Sequence, residues 1–371
     1  MTRRLPSGLL GMLCLVAACE AVLAGHSADL MSDAPFAWRW ADKAATRGAV
    51  DSEILCLGDS LVKFGIAPRV VEGRTGRSTW NLAVTGGRPA NSYFLLKHAL
   101  DAGARPAALI LDTDLLPSDP YEIPYLWPQL AGPAEVVEMA WVGGNSDFLA
   151  YYALAWALPS VRGRFELRNL VCALLNGGKT DYRALAATSD RNWKANRGAF
   201  IMPATHQLPA ASVQFLDTWP EDKPRPGRWS SHPVNTVYLD KILDLAAARG
   251  IEVFWILPPH YRMFDRYYDQ PNWYALQRRF TRDRLERHPN VVVIDGTHGN
   301  YARDVVMDVS HLNRVGAVAF STALGDIVRE RLSRKTPTAP RWLDLPAYAS
   351  PAGEGPVEDL AQTINRAARR R

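Results

Sequence analysis

The sequence predicts an α/β fold built on a mainly parallel sheet of about five strands, with a helical insertion. From Glu53 onwards, short apolar β-type runs alternate with amphipathic helical runs, a pattern typical of parallel strands joined by crossover helices. Gly103, Gly250 and Pro289 stand where helical runs end before strands. The apolar content of 47% is enough for a substantial core.

Each predicted element follows from this alternation. The strands are predicted at Ile54–Leu57, Thr79–Val84, Ala108–Asp112, Ile251–Leu257 and Val291–Ile294. The helices are predicted at Val62–Glu72, Asn91–Ala102, Val234–Arg249, Trp273–His288 and Val315–Arg331. Strands separated by helices in this way are expected to carry helices on both faces of their sheet.

Residues 117–233 interrupt the alternation. They are rich in Trp, Tyr and Pro and contain two apolar helical stretches, Pro133–Val142 and Phe148–Leu175. A structureless segment of this length is improbable inside a domain, so an inserted, mainly helical cap is predicted here. The α/β domain then consists of residues 50–116 and 234–332.

The tryptophans of the predicted cap have two interpretations. Their rings could stack on sugars or line an acyl pocket, or they could form the cap's own core. They are Trp127, Trp141, Trp156, Trp193, Trp219 and Trp229.

Residues 1–25 predict a signal peptide or a membrane anchor. A basic start, Met1–Arg4, precedes the apolar run Leu9–Leu23, which is rich in small residues. Export follows, to a bacterial periplasm or to a membrane-anchored position outside the cytoplasm. Two alternatives are open: Val16–Cys19 resembles a lipidation signal, and the run could be an ordinary buried helix.

Composition sets the remaining bounds. The net charge of +5 is spread along the chain, and the dense basic cluster Arg366–Arg371 is terminal, which argues against nucleic-acid binding. The four cysteines show neither metal-ligand spacing nor a disulfide framework, and no cofactor or metal is predicted. Residues 333–371, rich in Pro, Ala and Arg, are predicted to be a flexible tail.

The first chemical motif is Gly58-Asp59-Ser60-Leu61, directly after the first predicted strand. It places a hydroxyl at the carboxyl end of a strand, where open α/β sheets bind their ligands. By itself, Gly-Asp-Ser is also ordinary turn chemistry.

A base and an acid stand near the other end of the α/β domain, in Asp308-Val309-Ser310-His311. A serine hydroxyl needs an imidazole to take its proton, and the imidazole needs a carboxylate on its other nitrogen. One loop could present both side chains to the same place. The alternative is that Asp308 caps the next helix and His311 lies in a polar loop.

A third motif lies between them, from Asn81 to Gly86-Gly87. Glycines at such a position let backbone N–H groups approach a developing oxyanion. The alternative is a plain turn from strand to helix.

Together the three motifs resemble the SGNH hydrolase superfamily, also known as GDSL esterases and lipases. The order of the motifs matches, and Gly86 follows Asn81 by five residues, as in that family. The resemblance implies a flavodoxin-like three-layer α/β/α fold with Ser60 as nucleophile, His311 as general base and Asp308 as its orienting acid. It also implies that the N–H groups of Ser60 and Gly86 stabilise the oxyanion.

One family motif is altered. The family's third motif carries a Gly-x-Asn whose amide completes the oxyanion hole, whereas this chain has Asp112-Thr113-Asp114. Asp114 occupies the position of the third donor, but a carboxylate there would oppose a forming oxyanion. Thr113 or a protonated Asp could donate instead, Asn145 could donate from the insertion, or two donors suffice.

The resemblance implies a serine esterase, a deacetylase or an O-acyltransferase that acts on an acylated carbohydrate or another ester. With export, it favours a cell-envelope or exopolysaccharide substrate. Candidate substrate contacts are Gly87, His260 and Arg262, although a surface loop explains the last two equally well. The altered third motif also fits a catalytically weak or inactive polysaccharide-binding or assembly protein. The oligomeric state is not predicted.

Overall fold

A computed structural model of the chain describes residues 7–27, 31–178, 181–209, 228–261, 273–333 and 339–369. The chain divides into two compact units. The first unit combines Met1–Trp38 with Tyr121–Ala187, and the second combines Arg39–Pro120 with Thr188–Arg371. The first unit is helical over its described residues, and the second contains the sheet.

The α-helices of the described residues are numbered in chain order. They are α1 (Ser7–Gly25), α2 (Asp33–Ala45), α3 (Ser60–Gly65), α4 (Pro68–Thr75), α5 (Pro89–Asp101), α6 (Pro133–Gly143), α7 (Ser146–Ala157), α8 (Pro159–Arg162), α9 (Arg164–Leu175), α10 (Tyr182–Ala195), α11 (Pro233–Ala248), α12 (Trp273–Arg287), α13 (Arg314–Ser333) and α14 (Leu360–Ala368).

The sheet of the second unit is parallel throughout and runs in the order β2-β1-β3-β4-β5-β6. Its strands are β1 (Ile54–Leu57), β2 (Thr79–Asn81), β3 (Ala108–Asp112), β4 (Glu252–Leu257), β5 (Val291–Asp295) and β6 (Trp342–Asp344). The predicted α/β fold with a parallel sheet is confirmed, but the described residues form six strands rather than about five. The order reverses between β1 and β3, which is where doubly wound sheets bind their ligands.

Helices cover the sheet in two groups. Helices α3, α4 and α13 pack together over a core to which alternate residues of β1, β3, β4 and β5 contribute. Helices α5 and α11 pack on each other and contact β1 and β4. Because β1, β3 and β5 are buried along their whole length, both faces of the sheet are covered. The arrangement is compatible with three layers, helix–sheet–helix.

The helix predicted at Val62–Glu72 is in fact two helices, α3 and α4. Ile66 and Ala67 have extended backbone between them, and Pro68 begins the second helix. A proline disfavours helical backbone in the residue before it and fits the first turn of a new helix. The chain therefore turns at Pro68.

Part of residues 333–371 is built into the second unit, so the prediction of a flexible tail is wrong for β6 and α14. Leu345 N donates to Asp295 O at 2.8 Å, which continues the pairing of β6 with β5. Asp359 caps α14 and forms an ion pair with Arg314 at 3.3 Å. A strand of three residues is too short to be recognised by its alternation.

In the first unit, the apolar stretch Phe148–Leu175 is divided into α7, α8 and α9. Pro159 begins α8, and Gly163 separates α8 from α9. Trp127 packs edge-on against Trp38, with ring centroids 5.2 Å apart, in the core of this unit. The core interpretation therefore holds for Trp127.

Helix α1 has the length and composition of a membrane-spanning helix. It has 19 residues with a mean hydropathy of 2.0, and none of them is buried. The alternative of a buried N-terminal helix is therefore wrong. The helix is compatible with a signal peptide or a membrane anchor, and thus with export.

Candidate active site

Ser60 lies at the carboxyl edge of the sheet. Strand β1 ends at Leu57, and Gly58 and Asp59 turn the chain into α3, whose first residue is Ser60. Asp59 Oδ1 caps this helix by accepting from Leu61 N at 2.7 Å. The cap fixes the turn, so the Ser60 hydroxyl is held at the switch point of the sheet.

A chain of hydrogen bonds joins Ser60 to His311 and Asp308. Ser60 Oγ lies 2.8 Å from His311 Nε2, and His311 Nδ1 lies 2.8 Å from Asp308 Oδ2. These are the contacts that a serine nucleophile, its base and the orienting carboxylate require. Ser60 and His311 are 251 positions apart in sequence and meet only through the fold.

The loop that carries Asp308 and His311 is held by its own backbone. Met307 N donates to His311 O at 2.9 Å, and Val306 pairs with Leu312 in an antiparallel bridge. Asp308 Oδ1 accepts from the N–H groups of Ser310 and His311 at 2.9 and 2.8 Å. The spacing of three residues therefore lets one carboxylate both shape the loop and contact the imidazole.

Asp308 is stabilised as an anion. Partial burial acts to raise its pKa, but the hydrogen bond from His311, the charge of His311 and the two backbone N–H groups outweigh burial. The pKa of Asp308 therefore lies below its ordinary value. The side chain is 46% exposed, so water also solvates this charge.

Phe64 supports the imidazole. Its ring lies edge-on to the His311 ring, with centroids 5.3 Å apart, and it also packs against Phe200 at 5.5 Å. Phe64 follows Ser60 by one turn of α3. The helix that presents the hydroxyl thus also limits the movement of its base.

The loop after β2 packs directly on the turn before Ser60. Val84 N donates to Gly58 O at 3.2 Å, and a Cβ on Gly87 would lie only 2.5 Å from the same carbonyl oxygen. Gly86 has a left-handed backbone with φ of 70°, which favours glycine. The two glycines therefore permit the close approach that backbone oxyanion donors need.

Two polar residues, whose roles the sequence did not reveal, position this loop. Asn81 is fully buried, and its Nδ2 donates to Val62 O at 2.8 Å and to Ile66 O at 3.1 Å, at the end of α3. Arg88 is also buried, and its guanidinium donates to Gly86 O at 2.5 Å. In the sequence, the one hint of this role is that Arg88 is a charged residue directly after the two glycines.

Two carboxyl groups, Asp59 and Asp112, share a hydrogen bond at the ends of β1 and β3. Both residues are more than 95% buried. Burial raises the pKa of Asp112 well above its ordinary value, with further contributions from the charges of Asp59 and Asp114 and from the bond to Asp59. Burial and the Asp114 charge also raise the pKa of Asp59, to about 6. The raised pKa of Asp112 favours its neutral form, which can donate a hydrogen bond to Asp59.

Asp114 and His260 belong to the same cluster. The charge of Asp114 acts on Asp59, Asp112 and His260, and the charge of His311 acts on His260 as well. His260 is 7% exposed, so the interpretation as a residue of a surface loop is wrong. Burial lowers the pKa of His260, an effect that Asp114 opposes and His311 reinforces.

Lys63 is an unexpected buried cation. Its Nζ lies 4.4 Å from the ring centroid of Trp193 and 5.3 Å from that of Trp40, and no other described residue accepts a hydrogen bond from it. Burial lowers the pKa of Lys63 to about 7. The lysine lies three residues after Ser60, on α3.

The other predicted site residues belong to different parts of the chain. Asn145 is in the first unit, where its side chain caps α7 by accepting from Phe148 N at 2.9 Å. Trp141 and Trp156 are exposed in that unit. Arg262 and Trp219 lie outside the residues that the structure describes.

Trp193 and Trp229 are buried in the second unit, and Trp229 packs against Phe280. Thr113 is buried at the end of β3. Over the described parts of the chain, no group of three or more His, Cys, Asp or Glu side chains is arranged to hold a metal ion.

The arrangement can deprotonate a serine hydroxyl and stabilise the imidazolium that results. Gly86 and Gly87 allow the loop after β2 to pack against the turn that precedes Ser60. Comparison with models of known protein families gives no match, and comparison with curated protein sequences gives none either.

Proposed function

We propose that the chain is an SGNH-type serine hydrolase that acts on ester bonds through an acyl-Ser60 intermediate. The observation that carries the proposal is the hydrogen-bonded series Ser60 Oγ, His311 Nε2, His311 Nδ1 and Asp308 Oδ2, with both contacts at 2.8 Å. Such a series converts a weak hydroxyl into a nucleophile at neutral pH.

Two half-reactions follow from this geometry. His311 Nε2 takes the Ser60 proton while Oγ attacks the ester carbonyl carbon, and the N–H groups of Ser60 and Gly86 stabilise the oxyanion. The intermediate collapses as His311 returns the proton to the departing alcohol, which leaves acyl-Ser60. His311 then deprotonates water or a sugar hydroxyl, whose oxygen attacks the acyl carbon. The bond between the acyl carbon and Ser60 Oγ breaks as His311 returns the proton to Oγ, which regenerates the Ser60 hydroxyl.

The family assignment rests on where the motifs lie. Ser60, Gly86 and Asp114 follow β1, β2 and β3, and the loop with Asp308 and His311 precedes α13. All of them gather at one edge of a doubly wound parallel sheet. This placement supports the SGNH hydrolase fold that the motif order suggests.

The favoured substrate is an acylated carbohydrate of the cell envelope or an exopolysaccharide. Helix α1 supports a location in the periplasm or on a membrane, facing away from the cytoplasm, where such polymers are found. With water as acceptor the enzyme is an esterase or deacetylase, and with a sugar hydroxyl it is an O-acyltransferase. No cofactor takes part in either scheme.

The test is the release of alcohol from an activated acetyl ester by the purified full chain. Ser60→Ala and His311→Ala should each abolish release. The matched controls Ser350→Ala and His206→Ala change exposed residues of the same types and should retain it. Equal rates for Ser60→Ala and its control would contradict the proposal.

A second candidate is a non-catalytic polysaccharide-binding or assembly protein with the same fold. The observation that favours it is the group of carboxyls, Asp112 and Asp114, where the family has an oxyanion amide. Glycan binding by the wild-type chain, together with no reaction of Ser60 with a fluorophosphonate, would favour this candidate over the enzyme.

A further inference from the structure

Helices α7 and α9 of the first unit expose large apolar side chains. Trp156 is 62% exposed, Leu174 63% and Leu175 82%, although such residues are normally buried. We use the term apolar face for the six exposed residues Leu154, Trp156, Phe165, Val171, Leu174 and Leu175. Four of the six belong to α9, in which Glu166 is the one buried residue, and apolar exposure of this extent marks an interaction surface.

The charges on this segment have one sign. Between Phe148 and Gly178 the sole acidic residue is Glu166, which is buried and accepts a hydrogen bond from Ser32. The same segment carries three arginines, which are Arg162, Arg164 and Arg168. Arg164 and Arg168 are exposed, and the exposed acid of helices α7 and α9 is Asp147, in the first turn of α7. A surface on which exposed cations outnumber exposed acids is complementary to anionic lipid headgroups.

Aromatic rings accompany the cations. The guanidinium of Arg164 lies 5.1 Å from the ring centroid of Tyr151 and 4.6 Å from that of Phe165. Trp156 is exposed on the neighbouring helix α7. Tyrosine and tryptophan are enriched at the boundary between water and the bilayer core, where one end of the ring is polar and the other apolar.

A contact between α8 and α1 indicates how deep the helices of the apolar face would lie in a membrane that α1 spanned. Glu20, the one charged residue of α1, accepts hydrogen bonds from the N–H of Ser160, at 3.0 Å, and from its hydroxyl. A carboxylate on a membrane-spanning helix needs such partners. Ser160 belongs to α8, which connects α7 to α9.

Glu20 lies five residues before the end of α1 at Gly25. At a rise of about 1.5 Å per residue, that is roughly 7 Å from the end of the helix. Amphipathic helices lie at a similar depth, about 5–10 Å into the headgroup and acyl boundary. In a membrane that α1 spanned, helix α8 would therefore sit at the interfacial level.

We propose that the apolar face docks onto the surface of a phospholipid bilayer, beside the point where α1 leaves it. The first unit is then a membrane-bound module with two contacts to lipid: α1 through the bilayer, and α7 and α9 along its surface. This role does not depend on the chemistry of Ser60.

The native Cys172 on α9 provides a probe, because it is exposed while Cys56 is buried. The full chain with Cys14→Ala and Cys19→Ala is labelled at Cys172 with an environment-sensitive fluorophore and reconstituted into vesicles of phosphatidylcholine and phosphatidylglycerol. Nitroxides on the lipid acyl chains should quench most of the emission, and aqueous iodide should quench little. The emission should shift to shorter wavelength than in the unfolded chain.

The matched control carries the fluorophore at Glu286→Cys in a Cys172→Ala background, on the charged, exposed face of α12. This label should be quenched by iodide and not by the lipid nitroxides. Replacing Leu174 and Leu175 by Leu174→Glu and Leu175→Glu should remove nitroxide quenching at Cys172, since both side chains are exposed and their loss leaves the core intact.

Two outcomes would overturn the proposal. In the first, the label on Cys172 is quenched by iodide as strongly as the control, which would mean that water covers the apolar face. In the second, the label is shielded from iodide yet insensitive to lipid nitroxides, which would mean that a second copy of the chain or another protein covers it.

Discussion

Asp308 and Asp112 are two carboxyl groups near Ser60, in opposite surroundings. The side chain of Asp308 is 46% exposed and accepts hydrogen bonds from three N–H groups, whereas Asp112 is 4% exposed and faces other acids. The pKa of Asp308 is therefore lowered, and the pKa of Asp112 is raised. Of these two aspartates, Asp308 therefore favours the charged form and Asp112 the neutral form.

The difference assigns the two groups different tasks. The charge of Asp308 can stabilise an imidazolium at His311, whereas a neutral Asp112 can donate a hydrogen bond to Asp59, which caps the helix that begins with Ser60. The cluster therefore carries one negative charge fewer than its three aspartates suggest. A developing oxyanion is repelled by nearby negative charge. A cluster with one neutral aspartate therefore opposes the reaction less than a cluster of three ionised carboxylates would.

The largest expected effect comes from making Asp308 neutral. Asp308→Asn should lower kcat for an activated ester by about 10³–10⁴-fold, because the amide favours the wrong imidazole tautomer and carries no charge. Stopped ester assays on the purified chain measure this. Asp112 already favours its neutral form, so Asp112→Asn removes no charge and should change the same rate by less than about tenfold. Equal losses in the two variants would refute the division of tasks.

The next effect concerns the buried cation Lys63. Burial lowers its pKa in the folded chain to about 7, while an exposed lysine titrates near 10.4. The unfolded chain then binds more protons between these values, so the free energy of unfolding should rise with pH across that window. Lys63→Met should remove this rise and stabilise the chain by roughly a few kcal/mol at pH 7.

Urea denaturation at several pH values tests the Lys63 prediction. Lys97→Met changes a partly exposed lysine that forms a surface ion pair with Asp101 and serves as the control. If Lys63→Met has the same pH dependence as the wild type, the lysine is not responsible for it.

A smaller effect is expected from the third oxyanion position. Asp114→Asn removes a charge near the nucleophile and offers the amide that the family motif carries, so the rate of ester cleavage should rise on the order of tenfold. The initial rate under saturating ester measures it. A loss of activity would show instead that the charge of Asp114 is needed, for example by His260, on which it acts.

The smallest expected effect is on how the free energy of unfolding depends on pH. Because the pKa values of Asp59 and Asp112 are raised on folding, the folded chain retains protons that the unfolded chain loses above about pH 4. The free energy of unfolding should therefore fall as pH rises from about 4 through about 6 and above. Asp112→Asn should flatten this fall, which denaturation curves can show. An unchanged slope would mean that the pair does not share its proton.

Local patterns were sufficient for much of this description. Strands β1 to β5 and the positions of Ser60, Gly86 and His311 beside them could be predicted because each lies in a short segment whose alternation or spacing is visible. Pro68 could have shown the break between α3 and α4, since the residue before a proline avoids helical backbone.

What was missed depends on contacts between distant segments. The environment of Lys63 is made by Trp40 and Trp193, and the partner of Asp59 is Asp112 on another strand. Neither pairing leaves a periodic trace in the sequence. Strand β6 is recognisable only by its partner β5, because three residues carry too little alternation.

The central claim is that His311 and Asp308 make Ser60 a nucleophile, and the mass of the intact chain tests it most directly. After brief reaction with an activated acetyl ester and acid quenching, the wild-type chain should gain the mass of one acetyl group, located by peptide mapping on Ser60. Ser60→Ala should gain none, and Asp308→Asn should gain it far more slowly. Acetylation of Ser60→Ala at the wild-type rate, or no adduct on Ser60 in a chain that still cleaves the ester, would contradict the account.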